Sequence, residues 1–151
     1  MLKNLTVLSI VVSVIMLISC TPQSCMEETI ATAKASFYKT GFSSVSAPDS
    51  VSLVGIGVDT TFLYEKALKQ KTVLFPLDGS RKTCSFVLKI NGNPDTLRFY
   101  YNSYPHMISK ECGLTLFHYI DSVTSSVDTI KLVLINPTAS TFNEQNLRIF
   151  Y

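Results

Sequence analysis

The chain is poor in the residues from which most catalytic centres are assembled. Its 151 residues include two histidines, His106 and His118. Neither has a second histidine or an acid at helical or hairpin spacing to complete a metal site. Gly55-Ile56-Gly57 lacks the further glycine, the lysine and the hydroxyl residue of a phosphate loop, and no nucleophile elbow occurs. An excess of charge of one sign is missing too. Residues 1–19 hold Lys3 and no acid, and residues 20–151 carry 12 basic against 11 acidic side chains. Nucleic-acid surfaces and polybasic membrane patches need clustered charge, so neither is expected. No catalytic residue, metal or cofactor is assigned, and the chain is not expected to be an enzyme.

One long apolar run is present. From Leu5 to Ile18 about 14 residues pass with little polarity after Lys3, which suits a signal-peptide h-region and falls short of the ~20 residues of a spanning helix. The run ends in Leu17-Ile18-Ser19-Cys20, which resembles the lipobox of bacterial lipoproteins. That resemblance implies diacylglyceryl transfer to Cys20, cleavage before it and acylation of the new amino group. Two or more acyl chains hold a protein stably at a bilayer, at about 0.8 kcal/mol per buried CH₂. The alternatives are an uncleaved anchor, which the run is too short for, and an ordinary secretory signal in which Cys20 is incidental. The expected organisation is a lipoprotein signal peptide at 1–19, a tether at 20–28 and one folded domain at 29–151.

With Cys20 assigned to lipid, three thiols remain for an oxidising compartment, an odd number. Cys84 alternates with Phe86, Leu88 and Ile90 and reads as a buried free thiol. Cys25 and Cys112 have polar flanks and are the expected pair. Their bond closes a loop of about 87 residues, worth about 4 kcal/mol in the chain-entropy model. The rival is a reactive Cys112 with His118 or His106 as base, although nothing in the sequence lowers its pKa.

Most of the domain alternates with period two, the mark of half-buried strands. Thr29–Lys39 places Ala31, Ala33, Ala35 and Phe37 on one face. Val51–Val58 and Thr72–Leu77 read as strands, and 59–71 as loop. Thr83–Ile90 and Thr96–Tyr101 form a hairpin about the five turn-forming residues Asn91–Asp95. Gly113–Ile120 is expected to pair with Thr129–Asn136 through residues 121–128, and Asn146–Tyr151 ends the chain. His118 shares a face with Leu114, Leu116 and Ile120, as a core histidine would. About eight short strands without a long helix predict an all-β fold, an antiparallel β-sandwich of Ig-like character.

The recurring Asp59-Thr60, Asp95-Thr96 and Asp128-Thr129, like Asp49 and Asp121, are scattered along the chain. They fit Asx-type turns at strand boundaries better than a calcium loop. Arg98–His106, RFYYNSYPH, is the one surface candidate. Tyr100, Tyr101 and Tyr104, with Asn102 and His106 in a turn, offer stacking and hydrogen bonds to a sugar or a partner chain. Cross-strand packing of the tyrosines on a sheet face is the alternative.

Cys20, Cys25, Phe37-Tyr38, Gly55-Ile56-Gly57, Leu63-Tyr64, Pro76-Leu77, Cys112-Gly113, Asn136-Pro137, Asn146 and Ile149 together resemble a family of small Bacteroidota lipoproteins catalogued as domain of unknown function 6452. The resemblance implies the same Cys25–Cys112 pairing and brings no activity. The expectation is a lipid-anchored protein of the outer membrane, on its periplasmic or surface face. Its partners are the membrane, through the acyl anchor, and an envelope protein or glycan.

Overall fold

The computed structural model describes residues 24–57, 62–127 and 130–151. The signal segment, Cys20, Asp59-Thr60 and Asp128-Thr129 lie outside them. The described residues form ten strands: β1 (Thr32–Tyr38), β2 (Val51–Ile56), β3 (Phe62–Ala67), β4 (Thr72–Pro76), β5 (Thr83–Ile90), β6 (Asn93–Ser109), β7 (Gly113–Ser125), β8 (Lys131–Leu134), β9 (Thr138–Ala139) and β10 (Gln145–Phe150). They build two sheets, β4-β1-β10-β8 and β3-β2-β5-β6-β7-β9. No helix occurs among the described residues. The expected all-β sandwich is what forms, with pairing antiparallel throughout except between β1 and β10.

The core is the set of inward positions that the alternation picks out. Ala33, Ala35 and Phe37 of β1, Val73 and Phe75 of β4, and Leu147 and Ile149 of β10 face Leu53, Phe86, Leu88, Leu97, Phe99 and Tyr101. Phe75 of the smaller sheet meets Phe99 and Phe86 of the larger at centroid separations of 4.9 and 5.2 Å, in tilted and edge-on contacts. Pairs of this geometry contribute about 0.5–1.5 kcal/mol beyond their burial. Ser36 and Tyr38 on the other face of β1 are buried as well. β1 lies inside its sheet, and Tyr38 packs on Phe150 with the Arg148 guanidinium 5.3 Å from its ring centre.

One buried polar side chain sets the irregularity of this sheet. The parallel register of β1 and β10 shifts between Lys34 and Ala35. There Asn146 accepts a hydrogen bond from the Lys34 N–H at 2.9 Å and donates to the carbonyls of Asn136 and Thr138 at 3.0 and 2.7 Å. A single amide thus satisfies three backbone groups that the ladder leaves open, as burial demands.

Several expected boundaries and pairings are corrected. Residues 59–71 are not all loop: β3 runs along an open sheet edge, with two register shifts against β2. Its Phe62 and Leu63 are both exposed, so no alternation marks it. The β5–β6 turn is two residues long, Asn91 (φ 52°) and Gly92 (φ 87°), because Asn93, Pro94 and Asp95 pair with Ile90, Lys89 and Leu88. Successive positive φ values are what an Asn-Gly hairpin turn provides. The Tyr-Pro-His stretch is strand, not turn. β5 stops at the level of Tyr100, which leaves one side of β6 open farther on, where a proline without an N–H is accommodated. Gly113–Ile120 does not pair with residues 130–136, the described part of its expected partner. β7 continues to Ser125, and β8 crosses to the other sheet and pairs with β10.

The aspartates differ too. Asp78 closes a local turn on Ser80. Asp95 sits inside β6, buried, and accepts hydrogen bonds from Ser125 Oγ, from Ser126 through N and Oγ, and from the Val127 N–H. It holds the far end of β7 rather than its own turn.

Candidate functional site

β6 is 17 residues long and outreaches the sandwich. Beyond Tyr100 its ladder partner among the described residues is β7, with Tyr101 opposite Ile120, Ser103 opposite His118, Tyr104 opposite Phe117, His106 opposite Thr115 and Met107 opposite Leu114. This projecting hairpin carries most of the candidate residues, on two faces and at its tip.

Its outer face is aromatic. Tyr100, Tyr104 and Tyr119 are partly exposed there. His106 stacks on Phe117 with ring centres 4.1 Å apart, and Tyr104 and Phe142 meet Phe117 edge-on at 6.2 Å. Asn102 donates to Asp121 at 2.9 Å. Tyr100 and Tyr104 stand on this surface as the sequence implies, and His106 joins them from a strand. Tyr101 does not: alternation turns it inward, and it is 1% exposed. Its hydroxyl donates to the Asp78 carbonyl at 2.8 Å and lies 2.9 Å from Cys84 Sγ. Burial, and after it the contact with Cys84, pushes the phenol pKa well up, so Tyr101 stays a neutral donor. Tyr119 joins the face without any signal in the sequence. Its alternation with Phe117 across from Asn102 and Tyr104 is visible only once the β6–β7 register is known.

The inner face changes along its length. His118 is buried, 2.9 Å from Ser103 Oγ through Nδ1 and edge-on to Tyr101 at 5.4 Å. Burial lowers its pKa, partly offset by the charge of Asp78. It is the satisfied core histidine that the sequence implies, although its neighbours Leu114 and Leu116 are exposed. Leu116 lies over Gly79, where any side chain on residue 79 would collide with its Cδ1. Farther out, Met107 and Leu114 oppose each other in the open.

Cys112 sits at the tip and is joined to Cys25, with the Cα atoms 4.7 Å apart. The expected pair forms, so the Cys112 sulfur is bonded here, whereas the thiol-base alternative needs it free. Thr115 Oγ1 donates to the Thr29 carbonyl, so the lead-in to β1 runs beside the hairpin.

Cys84 is unbonded but only half-buried, a correction to the buried thiol expected. It lines a crevice of about 390 Å³ with Ile56, Leu63, Asp78, Arg81 and Phe86. At its mouth Arg81 pairs with Asp78 at 3.1 Å. The hydrogen bonds from Ser80, more than Arg81, hold the Asp78 carboxyl below its usual pKa. Exposed pairs of this kind contribute little to stability. No group of three potential metal ligands occurs among the described residues.

The family model for "Family of unknown function (DUF6452)" matches residues 50–151, and the chain belongs to that family. The match takes in β2 to β10, Cys112-Gly113 and Asn146, and leaves out β1 and Cys25. No curated protein and no solved structure matches the chain.

Proposed function

We propose that this protein is a lipid-anchored component of the cell envelope whose β-sandwich has a structural or partner-binding role at the outer membrane. The observation that carries the reading is the Cys25–Cys112 disulfide. Such a bond persists in an exported protein, and it fixes to the folded domain a residue five positions after the lipobox Cys20. Signal, lipobox and disulfide then serve one purpose: the anchor is short and the domain is tied to it covalently. Labelling of cells with a palmitate analogue tests this. The wild type incorporates the label and partitions into detergent; Cys20→Ala does neither, and unchanged membrane retention of that variant overturns the anchor.

A second reading, a glycan-binding module, is favoured by the aromatic outer face. Tyr100, Tyr104 and Tyr119 are partly exposed, and His106 stacks on the buried Phe117, beside the Asn102–Asp121 hydrogen bond, a combination that suits sugar rings and hydroxyls. Binding to cell-wall or dietary glycans falls at least tenfold in Tyr100→Ala with Tyr104→Ala on this reading. Unaltered binding removes the site.

A further inference from the structure

Among the described residues, no second sheet lies over the inner face of the β6–β7 hairpin past His118. Met107 is 61% and Leu114 67% exposed, and they are ladder partners. Leu116, also exposed, follows on the same face and shares a groove with the exposed Ile30. Met26 flanks the disulfide in a small crevice with Cys25, Ser109 and Cys112. Five apolar side chains thus crowd one end of the molecule, the end to which Cys25 is bonded. The opposite end, at the Asn91-Gly92 turn, lies roughly 50 Å away along β6 at about 3.3 Å per residue.

From Cys20 to Cys25 is five residues, a stretch that reaches about 17 Å when fully extended. If acyl chains on Cys20 lie in the bilayer, the disulfide cannot be farther than that from the membrane surface, and this apolar end is the one held there. We infer that the hairpin tip, through Met107, Leu114, Leu116, Ile30 and Met26, docks on the lipid surface at the boundary between headgroups and acyl chains. The inference rests on the anchor proposed above. The charged groups near the tip are Glu27, Glu28, Lys110 and Glu111, an acidic excess. Docking is therefore apolar in origin, requires no anionic lipid and is insensitive to salt. The sandwich then stands on its hairpin, with the aromatic outer face directed along the membrane plane.

The chain contains no tryptophan, so a single introduced indole reports its own surroundings. Acylated full-length mature protein carrying Leu114→Trp is reconstituted in phosphatidylcholine vesicles containing brominated acyl chains, which quench indole on contact. Leu68→Trp serves as the reference, since Leu68 is 71% exposed and follows β3 at the far end. Both positions are exposed, so the fold tolerates the change. The expected result is at least twofold quenching for Leu114→Trp, unchanged by 0.5 M salt, and none for Leu68→Trp. Vesicle-bound protein in which both emissions are equally quenched, or neither is, overturns docking while the anchor stands. Protein that fails to float with vesicles overturns the anchor, and docking with it. A blue-shifted Leu114→Trp emission without vesicles, together with a dimer in sedimentation, assigns the face to a second copy and likewise overturns lipid docking.

Discussion

Tyr101 and Met107 occupy the same face of one strand, three alternations apart, yet one is buried and the other is mostly in solvent. The difference lies outside β6. Tyr101 is covered by the smaller sheet, which brings Phe75, Val73 and Ile149 to the core it belongs to. Met107 projects beyond that sheet and is held in place by β7 and by a disulfide. Alternation therefore gives the direction of a side chain, and the opposing layer decides whether the direction leads to an interior. The covered half of the β6–β7 pair is maintained by close packing, and the projecting half by a ladder, one cross-link and whatever it rests against.

The sharpest separation of the two halves is in mutational stability. Phe99→Ala, in the covered half, should cost about 3–5 kcal/mol through lost contact with Phe75 and Phe86 and the cavity left behind, read from chemical denaturation. Next is the cross-link. Cys112→Ala, or reduction of the wild type, should cost up to about 4 kcal/mol and release residues 24–29 to protease, with the two treatments giving the same midpoint. Asn146→Ala should cost about 2 kcal/mol, because the Lys34 N–H and two carbonyls are left without their partner.

The buried histidine extends the comparison to pH. His118, in the covered half, has a folded-state pKa lowered by burial, so the unfolded chain binds its proton more readily. Stability is then complete above the unfolded value near 6.5 and declines as pH falls below it. His118→Phe should flatten that decline in thermal melts at about pH 5 to 7. The smallest effect belongs to Leu114→Ser. At so exposed a position it should alter stability by less than about 0.5 kcal/mol and register only in assays that contain lipid.

Much of this architecture is legible in the sequence. The inward sets of β1 and β5, the existence of a turn after Ile90 though not its two-residue length, the core nature of His118 and the Cys25–Cys112 pair all follow from local pattern. What is not legible depends on partners distant along the chain. β3 carries no alternation because most of it is exposed and only Tyr64 packs against the core. The pairing of β8 with β10 rather than β7 reflects a crossover between layers that turn composition does not encode. Asp95 reads as a local turn former because its partner Ser126 stands 31 residues away. The inward turn of Tyr101 is implicit in its alternation with Leu97 and Phe99, but three near-adjacent tyrosines draw it into a surface group. The overhang itself leaves no trace in the pattern, since Met107 and Leu114 look like core residues until the extent of the second sheet is known.

The most direct test of the anchored, cross-linked hairpin is mass spectrometry of the protein isolated from intact envelopes without reduction. The expected species has a mature N-terminus at Cys20 bearing diacylglyceryl and acyl groups, in a peptide disulfide-linked through Cys25 to Cys112. An unmodified Cys20, or Cys25 and Cys112 recovered as free thiols, would contradict it.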